Sequence, residues 1–362
     1  MRKVVLVGGG HAHVYILKQL QKNKWTNAHV VLISPNRYQY YSGMFSGYLE
    51  GRYETEEIRI DLARLCAAAS VRFVEASVVS VDPGRQELVT STGQRMDYDV
   101  ISFDIGSHIA NTDIPGVLDH ATFIKPNYLI PSLKDVFLAK ERLVVAGGGA
   151  SGIEIALSLQ ARRKRLGFKQ PVTLISKGPL LEHASRQVTR HMTEIVHKKG
   201  IHLIQHDPVV SVCKDHLELQ SGKTVSYDQL IWLTGPAAPP LFQKSGFPTD
   251  NQGYLLVNHC LQCVTYENVF GAGDCIAIKP YPWLHKAGVY AVREAPVLWT
   301  NLGRYLSGTA LKPYIPQSDY LSILSTGDGE AFLLYRGLSF HGSWCWELKH
   351  AIDTSFMKKY KR

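Results

Sequence analysis

Two glycine-rich turns stand 139 residues apart in this chain, each closing a run of small apolar residues. The first is Val4-Val5-Leu6-Val7-Gly8-Gly9-Gly10; the second is Leu143-Val144-Val145-Ala146-Gly147-Gly148-Gly149-Ala150-Ser151-Gly152. A continuous apolar run that ends in glycines and passes into helical spacing reads as a buried parallel strand feeding a helix. Such a turn suits a dinucleotide: glycines let a doubly negative pyrophosphate approach the backbone, and the helix start offers free N–H groups carrying partial positive charge. Two cradles in one chain of 362 residues imply two dinucleotides, and a protein holding two usually moves electrons between them.

The order around each turn repeats. After the first, Val14, Ile16, Leu17 and Leu20 have helical spacing, and a strand over 29–33 ends at Ser34-Pro35. After the second, a helix over 153–166 leads to a strand over 172–175 ending at Ser176-Lys177. A strand over 98–104, running into Ile105-Gly106-Ser107, is echoed by one over 227–234 running into Gly235. Short strands fill each interval, over 71–74, 77–81 and 87–90 in the first half and around Val209 and Leu217 in the second. Internal duplication gives the fold class: α/β, with two Rossmann-like domains. The Tyr-, Gly- and Ser-rich segment 36–51 reads as an ordered loop that covers something. A third block, 268–274, with a helix from about His285 to Tyr305, returns to the first domain and makes it discontinuous. The expected domains are 1–112 with 245–305, then 113–244, then a small C-terminal α+β region over 306–362. That last region carries strands around Leu321 and Phe332 and a closing amphipathic helix.

The formal net charge of +9 is compatible with phosphate-rich ligands, anionic lipid or nucleic acid. The basic residues are dispersed, however, and no nucleic-acid partner is expected. The run Arg162-Arg163-Lys164-Arg165 reads as a solvated helix end. Six cysteines do not make a disulfide scaffold, so a reducing cytoplasm is expected. The apolar run at the N-terminus is too short for a secretion signal, and no uncharged stretch reaches the ~18 residues that span a bilayer. Oligomeric state, a homodimer included, is left open.

Gly147, Gly149 and Gly152 complete the pattern G-x-G-x-x-G between a strand and a helix. The first turn has Gly8 and Gly10, but His13 stands at the third glycine's place. That position governs helix–strand packing, so a shifted helix that still binds is expected. The ribose-binding acid expected roughly 20 residues beyond each turn is replaced by Ser34 and by Ser176. Lys177, next to Ser176, adds a cation that could meet a 2′-phosphate and tilts the choice slightly toward NADPH over NADH.

Together these residues resemble the pyridine nucleotide–disulfide oxidoreductases, flavoproteins that bind two dinucleotides. The block Thr265-Tyr266-Glu267-Asn268-Val269-Phe270-Gly271-Ala272-Gly273-Asp274 is similar to that family's second FAD motif. Within it the chain looks closest to type II NADH dehydrogenases, to sulfide:quinone reductases and to an NADH-dehydrogenase-like group associated with selenide, water dikinase. Gly8 to His13, 41–44, 102–107, Lys125-Pro126, 286–293 and the ending 349–357 look like markers of that last group. Asp104 and Ile105 depart from the family's Ala-Thr-Gly segment.

The resemblance implies FAD, and NADH or NADPH, as cofactors. It places FAD contacts on Gly8, Gly10, His11, Ala12, Ser34, Pro35, Ser42, Val78, Gly106, Lys125, Gly273, Asp274, Lys286 and Ala287, with Asp274 on the ribityl chain. It places nicotinamide-nucleotide contacts on Gly147, Gly149, Ala150, Ser151, Gly152, Ser176 and Gly235. Two residues carry catalytic expectations: Lys286 as a cation at the flavin edge, and Glu154 as a contact to flavin or nicotinamide. Surface lysine and first-turn dipole partner are their plainer readings. Cys260-Leu261-Gln262-Cys263 has redox spacing, but in a strand-like stretch its thiols would face opposite sides. No metal site is expected.

The implied reaction moves hydride from NAD(P)H to flavin and then electrons to a second acceptor, with quinone favoured. The alternatives are a soluble reductase tied to selenium or sulfur metabolism and a nucleotide-sensing module without turnover. The final segment carries Trp344, Trp346, Leu348, Ile352, Phe356 and Met357 before a basic end. It could lie on an anionic membrane surface or pack on the FAD domain.

Overall fold

The computed structural model describes residues 1–361. Its first unit starts with β1 (Arg2–Val7), α1 (His11–Leu20), β2 (Ala28–Ser34), β3 (Arg72–Glu75) and β4 (Val100–Phe103). The second repeats the plan with β5 (Leu143–Ala146), α2 (Ala150–Arg165), β6 (Thr173–Ser176), α3 (Arg186–Lys198), β7 (His202–Gln205) and β8 (Gln229–Trp232). The chain then returns to the first unit with β9 (Val269–Gly271) and α4 (Gly288–Ser307). The sheets run β9-β4-β1-β2-β3 and β7-β6-β5-β8, all parallel. Strands buried on both faces need no polar alternation, and residues 4–7 and 143–146 are accordingly closed to solvent.

In each unit a three-stranded antiparallel meander fills the interval before the last repeated strand: Val78–Asp82, Glu87–Thr90 and Arg95–Asp97 in one, Val209–Val212, His216–Leu219 and Thr224–Ser226 in the other. Each last strand is anchored alike. The Lys3 N–H donates to Asp99 Oδ2 at 2.5 Å and the Arg142 N–H to Asp228 Oδ2 at 2.9 Å. The units are joined by a short antiparallel pair, His108–Ile109 with Pro236–Ala237.

The C-terminal region has one strand more than the sequence suggests: β10 (Ser322–Gly327), β11 (Glu330–Tyr335) and β12 (Leu338–Gly342) precede α5 (Ser343–Lys361). β12 alternates poorly and sits after a glycine turn, so its pattern is masked. Gly327, at φ +75°, lets β10 close on α2, where a Cβ would stand 2.6 Å from Ala161.

Other expectations need correction. Segment 36–51 is no loop: it holds a strand (Tyr38–Tyr40), a 3-10 turn (Ser42–Met44) and a wholly buried helix, Phe45–Glu50. The helix Leu62–Ala69 and α3 escape the sequence pattern, and α4 begins at Gly288, not His285. The basic run is not a solvated helix end either. Arg163 is 1% exposed and donates to the carbonyls of Phe137, Lys140 and Glu141, while Arg165 Nη2 donates to Glu50 O at 2.6 Å. These cations close the C-terminus of α2 onto neighbouring elements. Arg362, in the basic tail, lies outside the described residues.

Candidate active site

Both cradles form at the carboxyl ends of β1 and β5. In the second, Gly147, Gly149 and Gly152 act as the pattern requires. A Cβ on Gly152 would stand 1.9 Å from Gly147 O, so only glycine lets α2 start so close to its strand. Gly149, Ala150 and Ser151 are exposed, Gly149 faces open space, and no side chain caps α2. The helix N-terminus is free to take an anion. Gly235 also borders open space, while Ser176 is buried with its Oγ tucked under Gly148. Lys177 is exposed beside it.

The first cradle is built differently. His13 is fully buried, with Nδ1 2.7 Å from Gly8 O and Nε2 2.9 Å from Ser102 Oγ. A carbonyl can only accept, so Nδ1 carries the proton and Nε2 takes the serine hydroxyl. Burial pushes the imidazole down to about 4, which keeps it neutral. The histidine thus bonds the carbonyl against which a glycine would pack, and the small Ser102 in β4 makes room for it. Asp104 Oδ2 accepts the N–H groups of Ala12 at 2.7 Å and His13 at 3.0 Å, capping α1 from another element. Gly10 provides the N-cap backbone without a side chain of its own, as does Gly149 for α2.

Of the remaining expected FAD residues, Ser34, Gly273 and Asp274 lie beside this turn. Asp274 follows Gly273 in a 3-10 turn, and its carboxylate has no protein hydrogen-bond partner among the described residues. A half-buried free carboxylate fits a chain of ribityl hydroxyls. Gly106, at φ +70°, faces open space. Lys125 Nζ donates to Ser107 Oγ at 2.6 Å, and burial lowers its pKa against the pull of Asp274. His11 packs between Tyr41 and Phe356, with ring centroids 5.5 and 5.4 Å away, and burial lowers its pKa to about 4. Ser34 is buried at the end of β2, Pro35 and Ser42 are exposed, and Val78 opens the first meander. The residues present fit FAD at the first cradle and a pyridine nucleotide at the second.

Lys286 differs from expectation in where its ammonium goes. It donates to Ile276 O and sits 3.9 Å from the centre of the Tyr254 ring. The start of α4 itself lies beside the first turn, where a Cβ on Gly288 would stand 3.8 Å from His11 Nε2. Glu154, in α2, reaches further than a first-turn dipole partner would. Its Oε1 accepts the Ser325 N–H at 2.7 Å and the Ser46 hydroxyl at 3.2 Å. Burial raises its pKa, and the nearby Lys349 opposes that.

Lys349 is a functional candidate that sequence reasoning placed only in a family-like ending. It is 7% exposed and donates to Gly43 O at 2.6 Å and Asp353 Oδ2 at 3.0 Å. Asp353 Oδ1 accepts the Tyr41 hydroxyl at 3.0 Å. Burial works against the Lys349 charge, but Glu154 and Asp353 together hold its pKa above the ordinary value. A lysine and an aspartate four residues apart on a helix otherwise lined with Trp346 and Met357 are the signal that could have found this pair.

The cysteine pair does not become a redox centre in this geometry. Cys260 lies in a turn rather than a strand, both thiols are buried, and burial raises both pKa values, the reverse of an activated thiol. No group of three His, Cys, Asp or Glu able to hold a metal occurs among the described residues.

Residues 2–300 match the family model described as pyridine nucleotide-disulphide oxidoreductase. A probable NADH dehydrogenase of Dictyostelium discoideum is 28% identical over 315 residues, covering 77% of this chain and 69% of that protein. A type II NADH:quinone oxidoreductase of Staphylococcus aureus is 24% identical over 383 residues, covering 98% and 94%. Among solved structures, the sulfide:quinone oxidoreductase of Aquifex aeolicus superposes with a TM-score of 0.83 at 22% identity, over 99% of this chain and 91% of that one. NDH2 of Plasmodium falciparum, in complex with NADH, gives 0.82 at 16% identity, over 100% and 99%. At these identities the structural likeness carries the fold. With the family match and the two cradles, it makes this chain a member of the pyridine nucleotide-disulphide oxidoreductase family, an FAD-dependent NAD(P)H oxidoreductase.

Proposed function

We propose that the chain oxidises NAD(P)H and passes the electrons to a quinone at a membrane surface. In this reading residues 1–112 with 245–305 hold FAD, 113–244 hold the nicotinamide nucleotide, and 306–362 shape the acceptor side. Bound FAD would supply the hydride-accepting and electron-passing chemistry. The protein supplies position, exclusion of water and protons.

The carrying observation is the buried polar cluster where the three regions meet. Glu154 comes from the nucleotide-binding helix, Ser46 and Tyr41 from the first domain, Ser325, Lys349 and Asp353 from the C-terminal region. Reducing a quinone to a quinol takes up two protons with two electrons. A lysine and two carboxyls can hold protons there, with the Ser46 hydroxyl on Glu154 and the Tyr41 hydroxyl on Asp353, and burial raises the Glu154 pKa. Above this cluster, α5 turns Trp344, Leu348 and Ile352 outward at 54%, 37% and 45% exposure, one turn apart. Leu338 and Phe340 of β12 extend the band, and Lys358 and Lys359 are exposed at its end. Apolar residues in a stripe beside exposed cations suit the face of an anionic bilayer, where quinones dissolve. No helix among the described residues is long and apolar enough to cross one. The relatives named above for NADH and quinone support the same substrates.

The test is anaerobic. Purified protein should carry yellow flavin that NADH or NADPH bleaches rapidly and a menaquinone or ubiquinone analogue restores. Bleaching without quinone recovery would end the quinone assignment, and absence of flavin would end the whole reading. Replacing Trp344 and Ile352 by serine should abolish flotation with anionic vesicles and leave turnover of a water-soluble quinone intact.

A further inference from the structure

One motif departure plays no part in that reading. Asp104 ends the strand region after β4, at the place where the second unit has Leu233, as the shared pairing of Val7 with Phe103 and of Ala146 with Trp232 shows. Its carboxylate turns inward between the two loops that border the first cradle. Oδ2 accepts the Ala12 and His13 N–H groups. Oδ1 lies so near Gly10 and Gly273 that a Cβ on either would stand 2.1 or 2.9 Å from it. On the far side Glu294, from α4, accepts the Gly273 N–H at 2.6 Å. Both carboxyls are enclosed, at 4% and 3% exposure, so each loop of the cradle is pinned by a buried acid.

The charged and titratable groups facing the pair do not compensate it. Asp274 repels both acids, the Cys275 thiol neighbours Asp104, and the Tyr290 and Tyr314 hydroxyls, both neutral, neighbour Glu294. Lys286 acts on Glu294 from a distance, with its ammonium spent on Ile276 O. His13 is neutral and bonded to Gly8 and Ser102, and His11, also neutral, feels Asp274. Lys125 likewise answers to Asp274 rather than to the pair. Among the described residues neither acid has a salt-bridge partner.

We propose that Asp104 and Glu294 form a proton-linked clamp on the flavin cradle, so that binding FAD draws a proton onto the pair. The inference rests on the reading of this cradle as the FAD site. A pyrophosphate carries two negative charges, and beside α1 it would meet two enclosed acids as well as Asp274. Protonating one acid removes a charge and leaves its carbonyl oxygen to accept the same N–H groups, so the loops stay pinned. Burial has already brought both acids to about 7, within reach of a modest further push. FAD is therefore held more tightly at acid than at alkaline pH.

The experiment titrates full-length apoprotein with FAD from about pH 6 to about pH 8.5 by flavin fluorescence. It adds calorimetry near pH 8 in two buffers of different ionisation enthalpy. The wild-type dissociation constant should rise toward tenfold per pH unit above about 7, with uptake approaching one proton per FAD. Asp104→Asn keeps an acceptor for both N–H groups but cannot ionise. It should flatten the pH dependence and bind FAD about tenfold more tightly than wild type at the alkaline end. Glu294→Gln should act in the same direction, and the wild-type proton count stands without any variant. Affinity that ignores pH, no proton uptake, or variants that keep the wild-type slope would each overturn the clamp and leave the flavoprotein reading untouched. A wild-type protein that binds no FAD overturns both.

Discussion

The two cradles share a plan and differ in two side chains. In the second, Gly152 brings α2 against its strand and Leu233 stands beside the turn, leaving the first turn of the helix exposed and uncapped. In the first, His13 replaces the glycine and Asp104 replaces the leucine, and the helix start is buried and capped by a carboxyl. An open helix end suits a substrate that must come and go. A capped and pinned one suits a cofactor that stays. A missing glycine in such a pattern is therefore not a damaged site when a polar residue of the right size, here with Ser102 opposite, makes the same joint by hydrogen bonds.

Four changes would break or sharpen this contrast. The largest effect is expected from Gly152→Val, which drives a side chain into the Gly147 carbonyl and forces α2 away. Affinity for the nicotinamide nucleotide should fall by more than about 100-fold while flavin stays bound, equivalent to roughly 2.7 kcal/mol. Absorbance and nucleotide titration distinguish the two sites. His13→Gly should not restore an ideal cradle. It removes two buried hydrogen bonds and leaves a void, and should cost about 2 kcal/mol in denaturant unfolding. A variant as stable as wild type would show that the histidine is incidental.

The third concerns pH. Folded His11 and His13 titrate at about 4 instead of 6.5, so the unfolded chain binds more protons and stability rises with pH across that window. Asp104 and Glu294 titrate at about 7 instead of 3.8 and 4.5, so the native state binds more protons and stability falls over nearly the same window. The four should nearly cancel in wild-type apoprotein. Asp104→Asn removes one falling contribution, so its stability relative to wild type should climb by about 1 kcal/mol per pH unit between roughly pH 4.5 and 6.5. Parallel wild-type and variant curves would refute this. The smallest effect belongs to Lys177→Asp. An acid at the end of β6 should favour a ribose diol over a 2′-phosphate and shift the NADH-to-NADPH ratio of kcat/KM by about tenfold toward NADH. No change in the ratio would mean that coenzyme choice is made elsewhere.

Much of this was legible in the residues. Apolar runs closed by glycines have one stable use, so 4–10 and 143–152 marked both sheets, both helices and both cradles before any coordinate. The block ending in Gly273-Asp274 returned the chain to its first domain. Less legible were segments whose burial comes from distant partners. Phe45–Glu50 has the composition of a loop, but it is enclosed by α2 and the C-terminal region. Arg163 and Arg165 look like solvent cations because carbonyl acceptors far along the chain leave no trace in a local window.

The sequence by itself determined that this protein has two dinucleotide cradles on parallel sheets, because strand, turn and helix chemistry are short-range and their periods are visible in the residues. Only the tertiary structure decided how each cradle is closed. It set Asp104 over the N-terminus of α1, seated His13 on Ser102, and assembled Glu154, Lys349, Asp353 and Tyr41 from three regions. Those assignments depend on burial and on distances between residues far apart in the chain, and a one-dimensional pattern carries neither.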